Sequence, residues 1–189
     1  MNNRHSIRLK GCDYSKSGCY FVTVDVQNKF RLFWGKNGIN EIGIMIERCW
    51  LELKSRFEIE LDEYVVMPDH FHGIVVIPGD RATIKVARTL NPKNVGAGFM
   101  PAQLNSARTL NPKNVGAGFM PAQSKLGEIV GAFKSISMGE YIDGVKNNGW
   151  PRFYKRLWQR DFYERIIRNE LELNRIRGYI RNNPANYGE

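Results

Sequence analysis

The chain has 189 residues, 42% hydrophobic and 25% charged, which is typical of a globular domain and not of a disordered segment. This length fits one domain with a sizeable core, and its longest apolar runs are too short to span a bilayer. The formal net charge of +9 and pI near 9.6 indicate a polyanionic partner, and nucleic acid is the first to consider.

The N-terminal residues and the cysteines indicate the compartment. The polar start, residues 1–6, leads into no apolar region of the kind that a secretory signal has, so we expect a cytoplasmic protein. Cys12, Cys19 and Cys49 lack CxxC spacing and cannot all pair, so we expect packing residues and no disulfide framework or structural zinc. No segment has the composition of an interfacial membrane anchor, and no membrane partner is expected.

The first half of the chain predicts a strand, a helix and two further strands. Residues 19–26 are rich in β-branched and aromatic types and predict the first strand, followed by a turn or short edge segment over 28–34. Asn40 is a plausible N-cap for a helix whose buried face has helical spacing. That face consists of Ile42, Ile46, Cys49, Trp50, Leu53 and Phe57.

Residues 57–67 and 71–77 predict an antiparallel pair of strands, joined tightly through Pro68-Asp69. His70 and His72 lie at the start of the second of these strands. Because side chains alternate along a strand, the two imidazoles are expected on one face. The alternative is two strand histidines satisfied by ordinary hydrogen bonds.

Residues 87–103 recur without change as residues 107–123. Two copies are too few for a solenoid, and their Gly, Pro and Asn content predicts an exposed, flexible loop. We interpret the region at about 79–123 as a duplicated insertion into a single domain that covers residues 1–189. A DNA-contacting arm is the alternative.

A second amphipathic helix is predicted from Ser124 to about Met138. Its apolar face indicates core packing, and its polar face, with Lys134 and Ser135, is left open as a lining of a DNA path. A loop follows over 143–151, and residues 153–160 predict a last strand or an extended segment.

The last predicted helix begins after Asn169, which with Glu172 has the chemistry of a capping box, and runs to about Asn182 before Pro184. Its core stripe is Leu173, Ile176 and Ile180. At about 100° per residue, Tyr179 and Asn183 fall at the edge of this stripe. A side chain there is held firmly and still reaches a substrate.

These residues suggest metal-assisted chemistry. A tyrosine hydroxyl is a poor nucleophile at neutral pH unless its target is activated, and a divalent metal activates a phosphate. His70 and His72 are too few to complete a metal site, and Asn183 is the candidate third ligand. Tyr163 is the rival to Tyr179 as nucleophile, and a C-terminal cap is the alternative role for Asn183.

The segment before this helix mixes cationic and aromatic side chains, as grooves that hold single-stranded nucleic acid do. A solvated charged face is the alternative. The predicted DNA-binding residues are Arg152, Lys155, Arg156, Arg160, Arg165 and Arg168, and the predicted stacking surfaces are Phe153, Tyr154, Trp158 and Phe162.

Two motifs carry a family resemblance, the second of them in two parts. Residues 65–75, VVMPDHFHGIV, resemble the histidine-hydrophobic-histidine (HUH) motif of the single-tyrosine transposases. Residues 157–170, LWQRDFYERIIRNE, and 179–184, YIRNNP, resemble the REP-associated branch of that family. The resemblance covers about residues 19–187 apart from the insertion.

The resemblance implies a ferredoxin-like α+β fold with a central antiparallel sheet, the HUH motif on a central strand and the tyrosine on a C-terminal helix. It implies that Tyr179 attacks a phosphate of single-stranded, hairpin-forming DNA to give a 5′-phosphotyrosine, with Mg²⁺ or Mn²⁺ held by His70, His72 and Asn183. A monomer or a homodimer fits the family. Other hypotheses are an inactive sequence-specific DNA-binding protein and a metal-dependent phosphodiesterase that uses water.

Overall fold

The structure, a computed structural model, describes residues 17–78 and 125–186, so the predicted insertion and Cys12 lie outside the described residues. The strands are β1 (Gly18–Asp25), β2 (Trp34–Gly35), β3 (Gly38–Ile39), β4 (Glu60–Val66), β5 (His70–Ile77) and β6 (Tyr163–Ile167). The helices are α1 (Glu41–Arg56), α2 (Lys125–Asn147) and α3 (Glu170–Asn186), with a short 3-10 turn at Gln27–Lys29.

Four strands form an antiparallel sheet in the order β4-β5-β1-β6, and β2 pairs with β3 in a small hairpin. Each of the two large helical crossovers, α1 and α2, joins strands that have one strand between them. This is the βαββαβ topology of a ferredoxin-like fold, and the predicted α+β class is confirmed. The strand that carries the two histidines, β5, is central, as predicted.

The sheet is covered on both faces. Tyr20, Val22 and Phe71 face the larger core, which α1 and α2 complete. The opposite face packs on the α3 stripe through the buried residues Cys19, Phe21, Ile74, Val76, Ile167, Leu173, Ile176 and Ile180. The predicted stripe of the last helix is therefore confirmed. Among the described residues, no helix is long and apolar enough to cross a membrane.

The predicted helix starts are borne out where they are described. The Asn40 side chain accepts a hydrogen bond from the Gly43 amide at 3.0 Å, and Asn169 accepts one from the Glu172 amide at 2.9 Å. The return bond of the box differs from the expectation, because the Glu172 carboxylate accepts from the Arg168 amide. The predicted stop before Pro184 is wrong, since α3 continues through this proline to Asn186.

The prediction that α2 ends near Met138 is also wrong, because the helix continues to Asn147. Tyr141 continues its buried face, and its hydroxyl donates to the Pro151 carbonyl at 2.8 Å. Gly144, which suggests a loop in the sequence, allows Trp150 to approach the helix. A Cβ at this position would lie 2.2 Å from the Trp150 ring, so the glycine serves packing and does not end the helix.

Candidate active site

The start of β5 brings the two histidines together on one face of the sheet, as the HxH spacing predicts. His70 pairs with Asp25 in the register of β1, and His72 pairs with Thr23. The Nε2 atoms of the two imidazoles lie 3.0 Å apart. Both rings therefore direct the same nitrogen to one point.

Two side chains that the sequence analysis missed orient these rings. Asp69 Oδ1 lies 2.5 Å from His70 Nδ1, and Thr23 Oγ1 lies 2.7 Å from His72 Nδ1. A histidine that donates its Nδ1 proton to such an oxygen presents an unprotonated Nε2, as metal-binding histidines do. Asp69 precedes His70 in the sequence, so its contact with the ring could have been predicted. The contact of Thr23 depends on the register between β1 and β5 and could not.

Burial keeps His72 neutral. The residue is 5% exposed, and burial lowers its pKa to about 3, with a further contribution from the neighbouring His70. His72 is thus a neutral imidazole, with one unprotonated ring nitrogen, throughout the physiological pH range.

This lowered pKa predicts a pH-dependent stability. Between about pH 6.5, the ordinary value for histidine, and pH 3, the unfolded chain binds a proton that the folded chain excludes, so stability is complete above this range and falls as the pH falls. In urea titrations with EDTA, we expect about 2 kcal/mol less unfolding free energy at pH 5 than at pH 7.5 from His72 alone. His72→Gln should lack this contribution. Equal pH slopes in both proteins would contradict the assignment.

Tyr179 projects from the edge of the α3 stripe toward the histidines, as the helical spacing predicts. Its hydroxyl lies 3.4 Å from His72 Nε2, and its ring is edge-on to Phe21 with centroids 6.1 Å apart. Phe21 in turn stacks on His72 at 5.3 Å. The tyrosine remains 52% exposed, so its hydroxyl is held at the histidine pair and is open to a substrate.

Asn183 lies one turn further along the same edge of α3. Its Nδ2 atom is buried and has no hydrogen-bond partner among the described residues. This atom is a donor and needs an acceptor as its partner, whereas a metal would be bound by the Oδ1 atom of the same amide. Its assignment as the third metal ligand stays a prediction.

The donor set fits a divalent cation. The two Nε2 atoms, 3.0 Å apart, are close enough that both could bind one divalent cation. No group of three His, Cys, Asp or Glu side chains converges within residues 17–78 and 125–186.

The six predicted DNA-binding side chains are all exposed, on the segment before α3. Arg165 also forms a salt bridge with Glu172 at 2.6 Å. Lys155 has a left-handed backbone (φ 65°), and its ammonium lies 4.9 Å from the Tyr154 ring centroid. Such backbone strain is frequent at functional positions.

Lys134 has a structural role in place of the suggested DNA contact. Its ammonium donates to the carbonyls of Gln159, Arg160 and Asp161 at 2.9, 3.3 and 3.0 Å. Burial lowers the pKa of Lys134 to about 8. These bonds hold the segment before β6 against α2.

The four aromatic residues of this segment differ in exposure. Trp158 is 3% exposed and donates from Nε1 to Ser137 Oγ at 2.9 Å, so its prediction as a stacking surface is wrong. Phe153 and Phe162 are partly buried against the core, and Tyr154 alone of the four is exposed, at 70%. The segment is irregular and not extended, with a tight turn from Tyr154 to Arg156 and one isolated bridge from Trp158 to Val26, and the last strand is β6.

The comparisons with known proteins agree with this architecture. No family model matches the chain. A structure of a REP-associated tyrosine transposase bound to a REP hairpin has a TM-score of 0.53 and 17% identity, over 100% of this chain and 75% of that one. This likeness shows a shared fold, and the resemblance predicted from the two motifs is confirmed at that level.

An uncharacterised protein of Haemophilus influenzae is 32% identical over 192 residues, which cover 97% of this chain and 89% of that protein. The chain belongs to the same family as this relative. A structure assigned as a transposase of Deinococcus radiodurans has a TM-score of 0.47 and 15% identity, over 93% of this chain and 97% of that one.

Proposed function

We propose that this chain is a single-tyrosine DNA transposase that nicks and joins single-stranded, hairpin-forming DNA. The observation that carries the proposal is the position of the Tyr179 hydroxyl, 3.4 Å from His72 Nε2, beside two imidazoles whose Nε2 atoms are 3.0 Å apart. A nucleophile beside a pair of potential metal ligands is the arrangement that phosphoryl transfer needs.

In the proposed reaction the Tyr179 oxygen forms a bond to a backbone phosphorus, and the bond from that phosphorus to the 3′ oxygen breaks. The phenol loses its proton, and the departing 3′ oxygen gains one. The products are a 5′-phosphotyrosine and a free 3′-hydroxyl. The reverse attack by a 3′-hydroxyl joins strands and regenerates the tyrosine.

The cofactor in this proposal is Mg²⁺ or Mn²⁺, held by His70, His72 and Asn183. The cation supplies Lewis-acid polarisation of the phosphate and stabilises the charge that develops on it. Asp69 and Thr23 orient the two imidazoles. His72 contributes a neutral imidazole because its burial disfavours protonation.

The proposed partner is hairpin DNA with a single-stranded flank. The net charge of +9 and the exposed cationic segment favour a polyanion, and the solved transposase of the same fold is bound to a REP hairpin.

Lys155 and Arg156 give a direct test of this footprint. If both contact phosphates of a single strand, replacing both with Ala should lower the slope of log affinity against log salt by about 1.4, or about 0.7 for each contact. Fluorescence anisotropy with a labelled hairpin over a salt series measures this slope. The charge-matched control is Lys54→Ala with Arg56→Ala, in the last turn of α1, which leads into the end of β4 farthest from His70. An equal change of slope in this double variant and in the control double variant would show that Lys155 and Arg156 do not contact the DNA.

The decisive experiment incubates the protein with end-labelled hairpin DNA and Mn²⁺ and resolves the products on a denaturing gel. A covalent protein-DNA adduct with a free 3′-hydroxyl is expected. Binding without an adduct would instead identify an inactive DNA-binding protein. Cleaved DNA without attached protein would identify a phosphodiesterase that uses water.

A further inference from the structure

Strand β4 contains a bulge that presents two consecutive acids to α3. Leu61 pairs with Val75 and Tyr64 pairs with Gly73, so Asp62 and Glu63 both lie opposite Ile74. In a regular strand, consecutive side chains point to opposite faces, and a bulge with two residues opposite one relaxes this rule.

Each of these acids binds an arginine of α3. The Arg177 guanidinium donates to Asp62 Oδ2 through Nε and Nη2, both at 2.8 Å, and this pair is mostly buried, with side chains 14% and 10% exposed. The Arg181 guanidinium binds Glu63 Oε1 through Nε, at 3.0 Å, and through Nη2. We call these four residues the β4 clamp.

The β4 clamp and Tyr179 lie on opposite flanks of the helix. At about 100° per residue, Arg177 and Arg181 fall on one side of the Leu173/Ile176/Ile180 stripe, and Tyr179 falls on the other. The contacts agree, because the clamp reaches β4 at the sheet edge while Tyr179 reaches His72 on β5. The helix therefore lies across the sheet with an anchor on one flank and the hydroxyl on the other.

We propose that Asp62, Glu63, Arg177 and Arg181 are positioning residues that fix the rotation of α3 and so hold the Tyr179 hydroxyl at the histidine pair. This inference rests on the proposed role of Tyr179 as nucleophile. Apolar contacts of the stripe resist separation of the helix from the sheet but are not directional. The two ion pairs of the clamp, in each of which two guanidinium nitrogens contact one carboxylate oxygen, add directional contacts on the β4 flank, as Arg165–Glu172 does on the other flank.

A small rotation of α3 about its own axis would displace the Tyr179 hydroxyl by a distance that matters for reaction. Side-chain tips lie about 6 Å from a helix axis, so a roll of about 20° moves a tip by about 2 Å. A displacement of about 1 Å is enough to slow a reaction by about 10²-fold. The hydroxyl would leave its place beside His72 while the hairpin-binding surface stayed intact.

The test measures single-turnover adduct formation at saturating hairpin DNA with Mn²⁺, and hairpin affinity separately. Glu63→Gln breaks the more exposed pair, so folding is retained, and we expect adduct formation to slow by about tenfold with affinity unchanged within about twofold. Asp62→Asn with Glu63→Gln should slow it by about 10²-fold. The charge-reversed double variant, Glu63→Arg with Arg181→Glu, restores the ion pair in the opposite sense. It should regain most of the rate that Glu63→Gln loses.

Glu140→Gln is the matched control. It breaks a more exposed ion pair of the same chemistry, Arg48 to Glu140 at 2.7 Å, between α1 and α2 on the other face of the sheet. It should change neither the rate nor the affinity. A general loss of stability would slow both Glu63→Gln and Glu140→Gln, whereas loss of a positioning contact slows only the first.

A second measurement does not depend on activity. With 3-fluorotyrosine at position 179, the ¹⁹F resonance of the folded protein should shift or broaden in Glu63→Gln and stay unchanged in Glu140→Gln. If the unmodified protein forms no adduct, the proposed function fails and this resonance still decides the inference. The positioning role would be overturned if Glu63→Gln left both the resonance and the adduct rate unchanged, or left the resonance unchanged in a protein that forms no adduct. A loss of adduct rate that is explained by weaker hairpin binding would also overturn it.

Discussion

Tyr179→Phe is expected to abolish the covalent protein-DNA adduct, with a loss of more than about 10³-fold in a single-turnover assay. The substitution removes one oxygen atom, and that atom is the one that would bond to phosphorus. Because the side chain is 52% exposed, the change should alter the free energy of unfolding by no more than about 0.5 kcal/mol. Hairpin affinity should stay within about twofold of the original.

Tyr163→Phe is the matched control, because Tyr163 is the rival nucleophile of the sequence analysis. It lies opposite Thr23 on β6 and is 46% exposed, so it is as accessible as Tyr179. The adduct should persist in this variant. An adduct that persists in Tyr179→Phe and is absent in Tyr163→Phe would identify Tyr163, on β6, as the nucleophile.

The parts of the site that follow local rules could be predicted. Alternation along a strand places His70 and His72 on one face, and the 100° step of a helix places Tyr179 at the edge of a buried stripe. Both rules act over a few residues, so they need no knowledge of the tertiary structure.

The parts that depend on strand register could not be predicted. Thr23 reaches His72 because β1 and β5 pair in one particular register, across 49 residues of sequence. Asp62 and Glu63 look like ordinary acids of an edge strand until the bulge opposite Ile74 is known. Contacts of this kind are set by pairing between distant segments, which composition and periodicity do not contain.

The aromatic residues before β6 show a different limit. The alternation of basic and aromatic side chains does not reveal which aromatic ring finds a polar partner inside the core. Trp158 finds the buried hydroxyl of Ser137, so its indole is satisfied without solvent. The cationic neighbours remain outside because burying an unpaired charge costs far more than burying a satisfied indole.

Replacing both His70 and His72 with Ala is expected to remove Mn²⁺ binding and to reduce adduct formation by at least about 10²-fold, with hairpin affinity nearly unchanged. The physical reason is the loss of both nitrogen ligands, and with them the polarisation of the phosphate, which is worth several kcal/mol. Calorimetric titration with Mn²⁺ measures the first effect, and the denaturing gel measures the second. EDTA should reproduce the loss in the unmodified protein, and added Mn²⁺ should reverse it.

Because His72 is buried, truncation to Ala also leaves a cavity, and a loss of folding would have the same outcome on the gel. Asp69→Asn separates the two causes, since it leaves both imidazoles in place and removes the carboxylate 2.5 Å from His70 Nδ1. Loss of such a partner lowers metal affinity by about 10- to 100-fold. We therefore expect Asp69→Asn to need 10- to 100-fold more Mn²⁺ for half-maximal adduct formation, at about the same maximal rate. A variant that is folded and has an unchanged Mn²⁺ requirement would contradict the assignment of this histidine pair as the metal site.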